Sequence, residues 1–393
     1  MRLINSGRRV LAPVSIMFTA LLGVGAGALQ GTCGPFTDTP NDAFCQFIVE
    51  VFYMEITTGT TPTTYDPTGN VTRTQMAAFL SRSVDRVLLR GNRRSALDQF
   101  WTSQDATVLG LTTVGAQPML VRSDGEDLWV TSSEGVSRVH ASDGKLLGTW
   151  TGAVSARGVL VAMGRIFITA DASPGELYEI DPSQPPGAVT TIFSNGAAYS
   201  NGIAFDGSRI WTANNGSGPA SGSVSIITPA AVPPWTVTTL TTGFNLPDGA
   251  LFDGANIWVT DIVAKTLLKL DSNGAVLQTV TVGNGPEFPV FDGTNIWVPN
   301  YSSNSVSVVR ATSGAVLRTL TGNGLSNPIV SAFDGLRVLV TNYGGDSVSL
   351  WKAADLTSLG SFSTGTGSVP FGACSDGVNF WVTLINPDKL ARF

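Results

Sequence analysis

The chain is poor in the residues that most catalytic schemes depend on. Among 393 residues it has one histidine, His140, and three cysteines, and only 13% of its residues are charged. The one histidine falls on a predicted third strand, away from the expected site, so a Ser-His-Asp or Cys-His nucleophile is disfavoured. The sequence also has no paired CxxC motif, no HExxH motif and no phosphate-binding loop. Function therefore has to be sought in binding or in carboxylate and amide chemistry.

Positive charge is also scarce. The formal net charge is −6 and the isoelectric point is about 4.8. A protein that binds nucleic acid normally presents a basic face to the phosphates, so a nucleic-acid partner is excluded for the main body of this chain. What the chain has in quantity is 44 glycines, 21 prolines and many short apolar runs. That composition is typical of an all-β protein with many tight turns.

The first 31 residues read as a signal peptide. Arg2, Arg8 and Arg9 precede an apolar stretch from Val10 to Ala28, and small residues at Ala26 and Ala28 predict cleavage after Ala28. An uncleaved membrane anchor is the alternative, and the choice between the Sec and twin-arginine routes stays open. Export places the protein at the cell surface, in the periplasm or in the medium. In such an oxidising compartment, Cys33 and Cys45 are predicted to form a disulfide.

Cys374 belongs to a different setting. It lies within the run FGACSDG, which reads as an inner strand, and there it is expected to act as a small buried hydrophobic residue.

Residues 32–90 are predicted to form a small helical module. A run from Phe44 to Met54 suits a buried helix, and a second helix is predicted from Thr72 to Leu89, starting with a capping box formed by Thr72 and Gln75. A linker is assigned to residues 91–104.

The motifs of this module resemble those of the S-layer homology (SLH) family. The matching positions are Phe36 with Asp38, Ile56 with Gly59, Tyr65 with Pro67, and the run Thr72-Arg73-Thr74-Gln75. The resemblance implies attachment to a cell-wall or envelope polysaccharide, with the Arg73 guanidinium binding a carboxylate-bearing sugar. Gln75 stands where the family usually has Glu, and one such unit is present where wall binding typically uses three. The alternative is that Arg73 and Gln75 only complete the start of the helix.

Residues 105–393 are a repeat. An Asp-Gly turn precedes a Trp strand in runs such as LWVTS, IWTAN and IWVTD, and Trp129 and Trp381 are 252 residues apart, or six intervals of 42 residues. Phe167 and Leu339 occupy the same position in two further repeats, and this position is called the Trp slot. This period is that of a four-stranded propeller blade, so a mainly β, seven-bladed β-propeller is predicted. The segment from Asp105 to Gly115 is expected to close the ring by pairing with the final run KLARF.

The amino-acid sequence of these repeats resembles that of the YVTN family of surface propellers and, more broadly, of NHL-like propellers. Examples are the runs VLVTNYGGDSVSLW and IWVPNYSSNSVSVV. It is similar, more distantly, to streptogramin lyases and to gluconolactonase-type propellers. These resemblances imply the fold, because propellers host many unrelated functions. Streptogramin-lyase chemistry uses a histidine base, which disfavours it for a chain whose His140 falls on a third strand.

The constant length of the repeat also identifies equivalent residues in each blade, including those expected around the central opening at one end of the ring, the mouth. The residues ten before each Trp slot are Met119, Arg157, Asn201, Asp248, Glu287, Ile329 and Phe371, so four consecutive blades present polar groups. Ligand binding is therefore predicted at Arg157, Asn201, Asp248 and Glu287.

Three residues past the Trp slot, Asp261 adds a further oxygen. Asn201, Asp248, Asp261 and Glu287 are the set expected to hold Ca²⁺ or Mg²⁺, as a comparable Glu, Asn and Asp set does in gluconolactonase-like propellers. The alternative is that the Asn and Asp residues only form turns.

Two functions remain. The favoured hypothesis is a non-catalytic envelope protein, tethered to polysaccharide by the SLH-like module and binding a protein or glycan through the propeller. The alternative is a surface-displayed, metal-dependent hydrolase or lyase of lactonase type.

Overall fold

A computed structural model describes residues 36–39, 48, 57, 59–61, 63–80 and 110–393. The chain divides into two compact units, Met1–Arg94 and Ser95–Phe393. The predicted signal peptide, Cys33, Cys45 and the segment 91–104 lie outside the described residues. Within the described residues, no helix combines the length and the apolar character that a membrane crossing requires.

In the first unit, the predicted motif residues are joined by specific contacts. Phe36 is buried and its ring lies 5.4 Å from that of Tyr65. The Asp38 carboxylate accepts backbone N–H bonds from Tyr65 and Asp66 at 2.8 Å each, and these bonds lower the pKa of Asp38. The FxD and YxP motifs therefore pack against each other.

A helix occupies residues 73–80 of this unit. The backbone N–H of Thr72 donates to Gln75 Oε1 at 2.9 Å, and the N–H of Gln75 donates to Thr72 Oγ1 at 3.2 Å. This reciprocal pair is the predicted capping box, and it satisfies two N–H groups that a helix start leaves unpaired.

The second unit is a ring of seven four-stranded antiparallel sheets. The first four blades, each given from its inner to its outer strand, are as follows. Blade 1 contains β2 (Val121–Ser123), β3 (Asp127–Ser132), β4 (Gly135–His140) and β5 (Leu146–Trp150). Blade 2 contains β6 (Ala156–Ala162), β7 (Arg165–Ala170), β8 (Gly175–Ile180) and β9 (Thr190–Gly196). Blade 3 contains β10 (Ser200–Phe205), β11 (Ile210–Asn214), β12 (Ser223–Thr228) and β13 (Thr236–Leu240). Blade 4 contains β14 (Pro247–Phe252), β15 (Ile257–Asp261), β16 (Thr266–Leu270) and β17 (Val276–Thr281).

The remaining blades repeat this order, with a short 3-10 turn at Tyr301–Ser303 in blade 5. Blade 5 contains β18 (Val290–Phe291), β19 (Asn295–Asn300), β20 (Ser305–Arg310) and β21 (Val316–Thr321). Blade 6 contains β22 (Pro328–Phe333), β23 (Arg337–Asn342), β24 (Ser347–Lys352) and β25 (Ser358–Ser363). Blade 7 contains β26 (Pro370–Ser375), β27 (Phe380–Leu384), β28 (Lys389–Arg392) and, as its outer strand, β1 (Leu111–Thr113).

Ring closure follows the prediction. Leu111 is paired with Ala391 and Thr112 with Leu390, so a strand from the start of the unit completes the sheet formed by its end. The Gln117 backbone N–H also donates to the Asp388 carboxylate at 2.8 Å. The mainly β, seven-bladed architecture with an N-terminal closing strand is confirmed.

The Asp-Gly turn and the Trp strand of the repeat are linked by a side-chain hydrogen bond. In five blades the indole N–H of the Trp donates to the carboxylate of the Asp five residues earlier, at 2.7–2.8 Å. These pairs are Trp129 with Asp124, Trp211 with Asp206, Trp258 with Asp253, Trp297 with Asp292, and Trp381 with Asp376. The second carboxylate oxygen accepts backbone N–H groups of the same turn, as Asp253 does from Ala255 and Asn256. We call this end of each blade the turn end.

Neighbouring blades come very close at the ring axis. A Cβ added to Gly158 would lie 2.4 Å from the carbonyl oxygen of Asn201, and one added to Gly202 would lie 2.3 Å from that of Asp248. A Cβ on Gly372 would lie 2.2 Å from the Met119 carbonyl oxygen. Only glycine allows this approach of two backbones. The residues just before these glycines are thereby placed side by side around the axis.

Cys374 is a buried free thiol on β26, as predicted, and burial raises its pKa to about 12. His140 ends β4, the third strand of blade 1, and its Nδ1 lies 3.2 Å from an Asp143 carboxylate oxygen.

Candidate binding site at the mouth of the propeller

In five blades the pairing of the two inner strands shifts at the residue ten positions before the Trp position of the repeat. This shift turns the side chain of that residue toward the ring axis. The pairing of the two inner strands shifts between Ala156 and Val159 in blade 2, and between Pro247 and Ala250 in blade 4. Equivalent shifts occur in blades 3, 6 and 7. Such β-bulges re-aim a side chain without ending the sheet. The end of the ring at these bulges is opposite to the turn end and is the mouth.

Asn201 and Asp248 form the centre of the polar sector. Asn201 Nδ2 donates to Asp248 Oδ1 at 2.8 Å, and the two residues are only 3% and 1% exposed. Asn201 Oδ1 is buried and receives no donor from the described part of the chain, and no amide, hydroxyl or guanidinium donor of that part reaches Asp248 Oδ2. A buried polar atom without a partner is costly, so this pair is prepared for a group that is not part of the fold.

Glu287 lies beside this pair, in the next blade. Burial, together with the charge of Asp248 and a hydrogen bond to it, raises the pKa of Glu287 well above its usual value, although Arg157 opposes the shift. A hydrogen bond between two carboxyl groups requires a proton on one of them. Glu287 therefore keeps its proton to a higher pH than a free carboxyl group and can donate it in a hydrogen bond to Asp248.

Arg157 supplies the positive charge of the mouth. Its Nη1 lies 3.4 Å from an Asp171 carboxylate oxygen, and its guanidinium lies over the Phe371 ring, 5.1 Å from the centroid. Its Nε is buried and has no acceptor among the residues that the structure describes. Because its ion-pair partner is distant and partly exposed, the guanidinium keeps hydrogen-bonding capacity for a ligand.

An aromatic group faces the polar sector. The Phe371 ring lies 6.3 Å from that of Phe288 and 6.3 Å from that of Tyr343, and the Tyr343 ring lies 6.1 Å from that of Tyr301. Burial, then the neighbouring Tyr343 and Glu287, raise the pKa of Tyr301. The mouth thus combines a carboxyl pair, an amide and a guanidinium with four aromatic rings.

Asp261 does not join this group. Its carboxylate is fully buried and accepts backbone N–H bonds from Asn245 at 2.6 Å, Leu246 at 3.1 Å and Ala264 at 3.0 Å. The equivalent Asn214, Asn300 and Asn342 likewise donate to pairs of serines within their own blades. Side chains at this slot hold loops in place rather than pointing into the mouth.

Of the predicted metal set, the structure therefore brings together Asn201, Asp248 and Glu287. No three His, Cys, Asp or Glu side chains converge as metal ligands anywhere in the described part of the chain.

Arg73, the residue predicted to bind the polysaccharide, belongs to the other unit. It is the first residue of helix 73–80 and is exposed. A cavity of about 530 Å³ in that unit is lined by Tyr65, Asp66, Pro67 and Gln75 among others.

Sequence reasoning missed Asp171, Tyr301 and Tyr343. All three lie four residues past the Trp position of their repeat, one position beyond the equivalents of Asp261. The repeated NY of VPNY and VTNY was the available signal.

No family model and no curated protein sequence matches the chain. Solved structures do match. A streptogramin B lyase has a TM-score of 0.58 at 14% identity, covering 72% of this chain and 96% of its own. An inactive variant of the virginiamycin B lyase from Staphylococcus aureus, determined with quinupristin, has a TM-score of 0.59 at 14% identity, with coverages of 72% and 98%. Hydrazine synthase from Kuenenia stuttgartiensis has a TM-score of 0.60 at 15% identity, with coverages of 72% and 96%. At such identities the likeness shows a shared propeller fold.

Proposed function

We propose that this chain is an exported, envelope-associated propeller protein that binds a protein or glycan through its propeller mouth. The observation that supports it is the pair of buried polar atoms, Arg157 Nε and Asn201 Oδ1, that have no partner among the described residues and lie beside the Asp248 and Glu287 carboxyl groups. A ligand that supplied their missing hydrogen bonds would gain affinity, because leaving such groups unsatisfied costs about 1–3 kcal/mol each. Binding sites of this kind place a few polar groups among aromatic side chains.

The tether in this proposal is the SLH-like unit. Its motif residues Phe36, Asp38 and Tyr65 contact one another, and Arg73 is exposed at the start of its helix. An exposed guanidinium suits a carboxylate-bearing sugar, which it binds through two parallel hydrogen bonds. The partner at this end is an envelope polysaccharide.

Sedimentation of the full chain with purified envelope polysaccharide tests the tether. We expect the wild type to sediment with the polysaccharide and Arg73→Ala to remain largely in solution. Arg73→Lys is the matched control, because it keeps the charge but loses the planar two-donor geometry, and it should bind at an intermediate level. Equal sedimentation of all three proteins would remove Arg73 from the ligand site.

The metal-dependent hydrolase or lyase is the second candidate, and the donor set fits a divalent ion only in part. Two carboxyl groups and one amide oxygen converge, but Asp261 is committed to backbone N–H groups and Glu287 keeps its proton to a higher pH than a free carboxyl group. A metal ligand must release its proton, and Ca²⁺ takes six to eight oxygen ligands.

Calorimetry of the full chain with Ca²⁺, with Mg²⁺ and with EDTA separates the two candidates. A rise in melting temperature with metal that is lost in Asp248→Asn would favour the enzyme. An unchanged melting temperature would exclude the metal-dependent enzyme and leave the non-catalytic binding protein as the proposal.

A further inference from the structure

The mouth has a defined pattern of unused hydrogen-bonding groups. Asn201 Oδ1 is an acceptor and Arg157 Nε is a donor, and both are buried without a partner among the described residues. The Asp248 carboxylate, which is paired with Glu287, keeps lone pairs for a further donor, because each carboxylate oxygen can accept two hydrogen bonds. Asn215, four residues past the Trp slot of blade 3, adds a further unpartnered oxygen, Oδ1. A ligand that satisfies this pattern has to offer several donors and at least one acceptor within a small volume.

Charge narrows the ligand class. A carboxylate or phosphate would be repelled by the negative charge of the Asp248 and Glu287 pair. A divalent cation would satisfy the oxygens but would lie close to the Arg157 guanidinium and leave its Nε without an acceptor. A neutral group with neighbouring hydroxyls avoids both conflicts, because each hydroxyl donates one hydrogen bond and accepts others.

Resting on the function proposed above, we infer that the mouth binds a neutral terminal sugar residue through two adjacent hydroxyl groups. The hydroxyls donate to Asn201 Oδ1 and Asp248 Oδ2, and one of them accepts from Arg157 Nε. The apolar face of the sugar ring packs on the aromatic group formed by Phe288, Tyr301, Tyr343 and Phe371. Because the polar atoms lie at the axis, the ligand enters by its end, so a chain terminus is recognised rather than an internal unit.

A glycan array probed with the full chain tests this assignment. The array carries oligosaccharides that end in neutral sugars, each with a matched version lacking one of the two adjacent hydroxyls. We expect binding to a subset of the complete sugars, and binding to the deoxy versions weaker by about 10-fold or more, as for loss of a hydrogen bond to a charged group.

Variants locate the bound sugar. Asp248→Asn and Arg157→Gln should each weaken binding by about 10-fold or more. The variant Asp271→Asn should leave these array signals unchanged. Asp271→Asn is the matched control on blade 4, because Asp271 lies in the β16–β17 turn, where it accepts N–H bonds from Asn273 and Ala275.

Equal binding of the array sugars by Asp248→Asn and by the wild type would overturn the inference, as would an equal loss of signal in Asp271→Asn. Arg157→Gln covers the case in which Asp248→Asn does not fold, which melting curves would show. An array without any bound sugar, from a chain that still sediments with envelope polysaccharide, would also overturn the inference while leaving the tethering proposal intact. A chain that fails both measurements would refute the tethering proposal as well.

Discussion

At the turn end of the blades an aspartate receives hydrogen bonds on both carboxylate oxygens, whereas at the mouth Glu287 can donate its own proton to Asp248. The turn-end arrangement recurs in five blades with nearly the same distances. The mouth residues differ from blade to blade and leave buried atoms without partners. The same residue types therefore serve the fold where they repeat and are available for a ligand where they vary. The predictions below test this difference in order of expected effect.

The largest effect is expected for Trp258→Ala at the turn end. Trp258 is fully buried, donates to Asp253 at 2.7 Å, and has the Lys269 ammonium 5.1 Å from its ring centroid. Removing a buried Trp costs about 3–5 kcal/mol through lost contacts and the cavity left behind. Urea unfolding measures the change. A loss below about 1 kcal/mol would contradict a structural role for the repeated Trp.

A smaller, pH-dependent effect is expected for Asp206→Asn. Burial alone would raise the pKa of Asp206, but hydrogen bonds from Trp211 and from the backbone of Arg209 and Ser208 lower it to about 2. A lowered pKa stabilises the fold above the unfolded value of 3.8, and this contribution is lost as the pH falls toward 2. We expect a loss of about 1–3 kcal/mol at pH 6.

Unfolding of the wild type and Asp206→Asn at pH 6, 3.5 and 2 checks this expectation. The difference between them should shrink as the pH falls. A difference that stays constant over this range would mean that the charge of Asp206 does not stabilise the turn. Trp211→Phe, which keeps a ring as Phe167 does in blade 2, isolates the contribution of the indole N–H.

At the mouth, Glu287→Gln should act in the opposite direction. The raised pKa of Glu287 means that the folded protein holds a proton that the unfolded chain releases above its usual pKa. Wild-type stability therefore falls as the pH rises through this window, and the variant, which has no proton to release at this position, would be spared that loss. We expect the variant to gain on the wild type as the pH rises above the usual carboxyl value of 4.5, by less than the loss at Asp206. A melting-temperature difference independent of pH would refute the raised pKa of Glu287.

The smallest effect on stability is expected for Arg157→Gln. Its pair with Asp171 is long and partly exposed, and its packing on Phe371 is a cation–π contact worth about 0.5–1 kcal/mol. Thermal unfolding should therefore change by at most about 1 kcal/mol. A larger loss in the free energy of unfolding would show that Arg157 stabilises the fold. The difference between the turn end and the mouth of the propeller would then no longer hold at this residue.

The fold was predictable because the repeat is regular and because the closing strand was absent from the end of the chain and present before the first blade. The neighbourhood of Arg157, Asn201, Asp248 and Glu287 was predictable for the same reason, since equal spacing places residues at equal heights in the ring. The orientation of Asp261 was not, because its neighbours Asn245, Leu246 and Ala264 present free N–H groups only once the loop is formed. Spacing gives the position of a side chain along a strand, while local backbone donors decide where it points.

Closure by β1 has a consequence for how this unit reaches its folded state. Leu111–Thr113 has no sheet partner until Lys389–Arg392 has been synthesised, so the ring cannot be completed while most of the chain is still emerging. Contacts this far apart in sequence make folding slow and expose unpaired strand edges in the meantime. We expect a substitution that weakens the pairing of Thr112 with Leu390 to act mainly on yield and aggregation during production. The stability of the purified protein would change little by comparison.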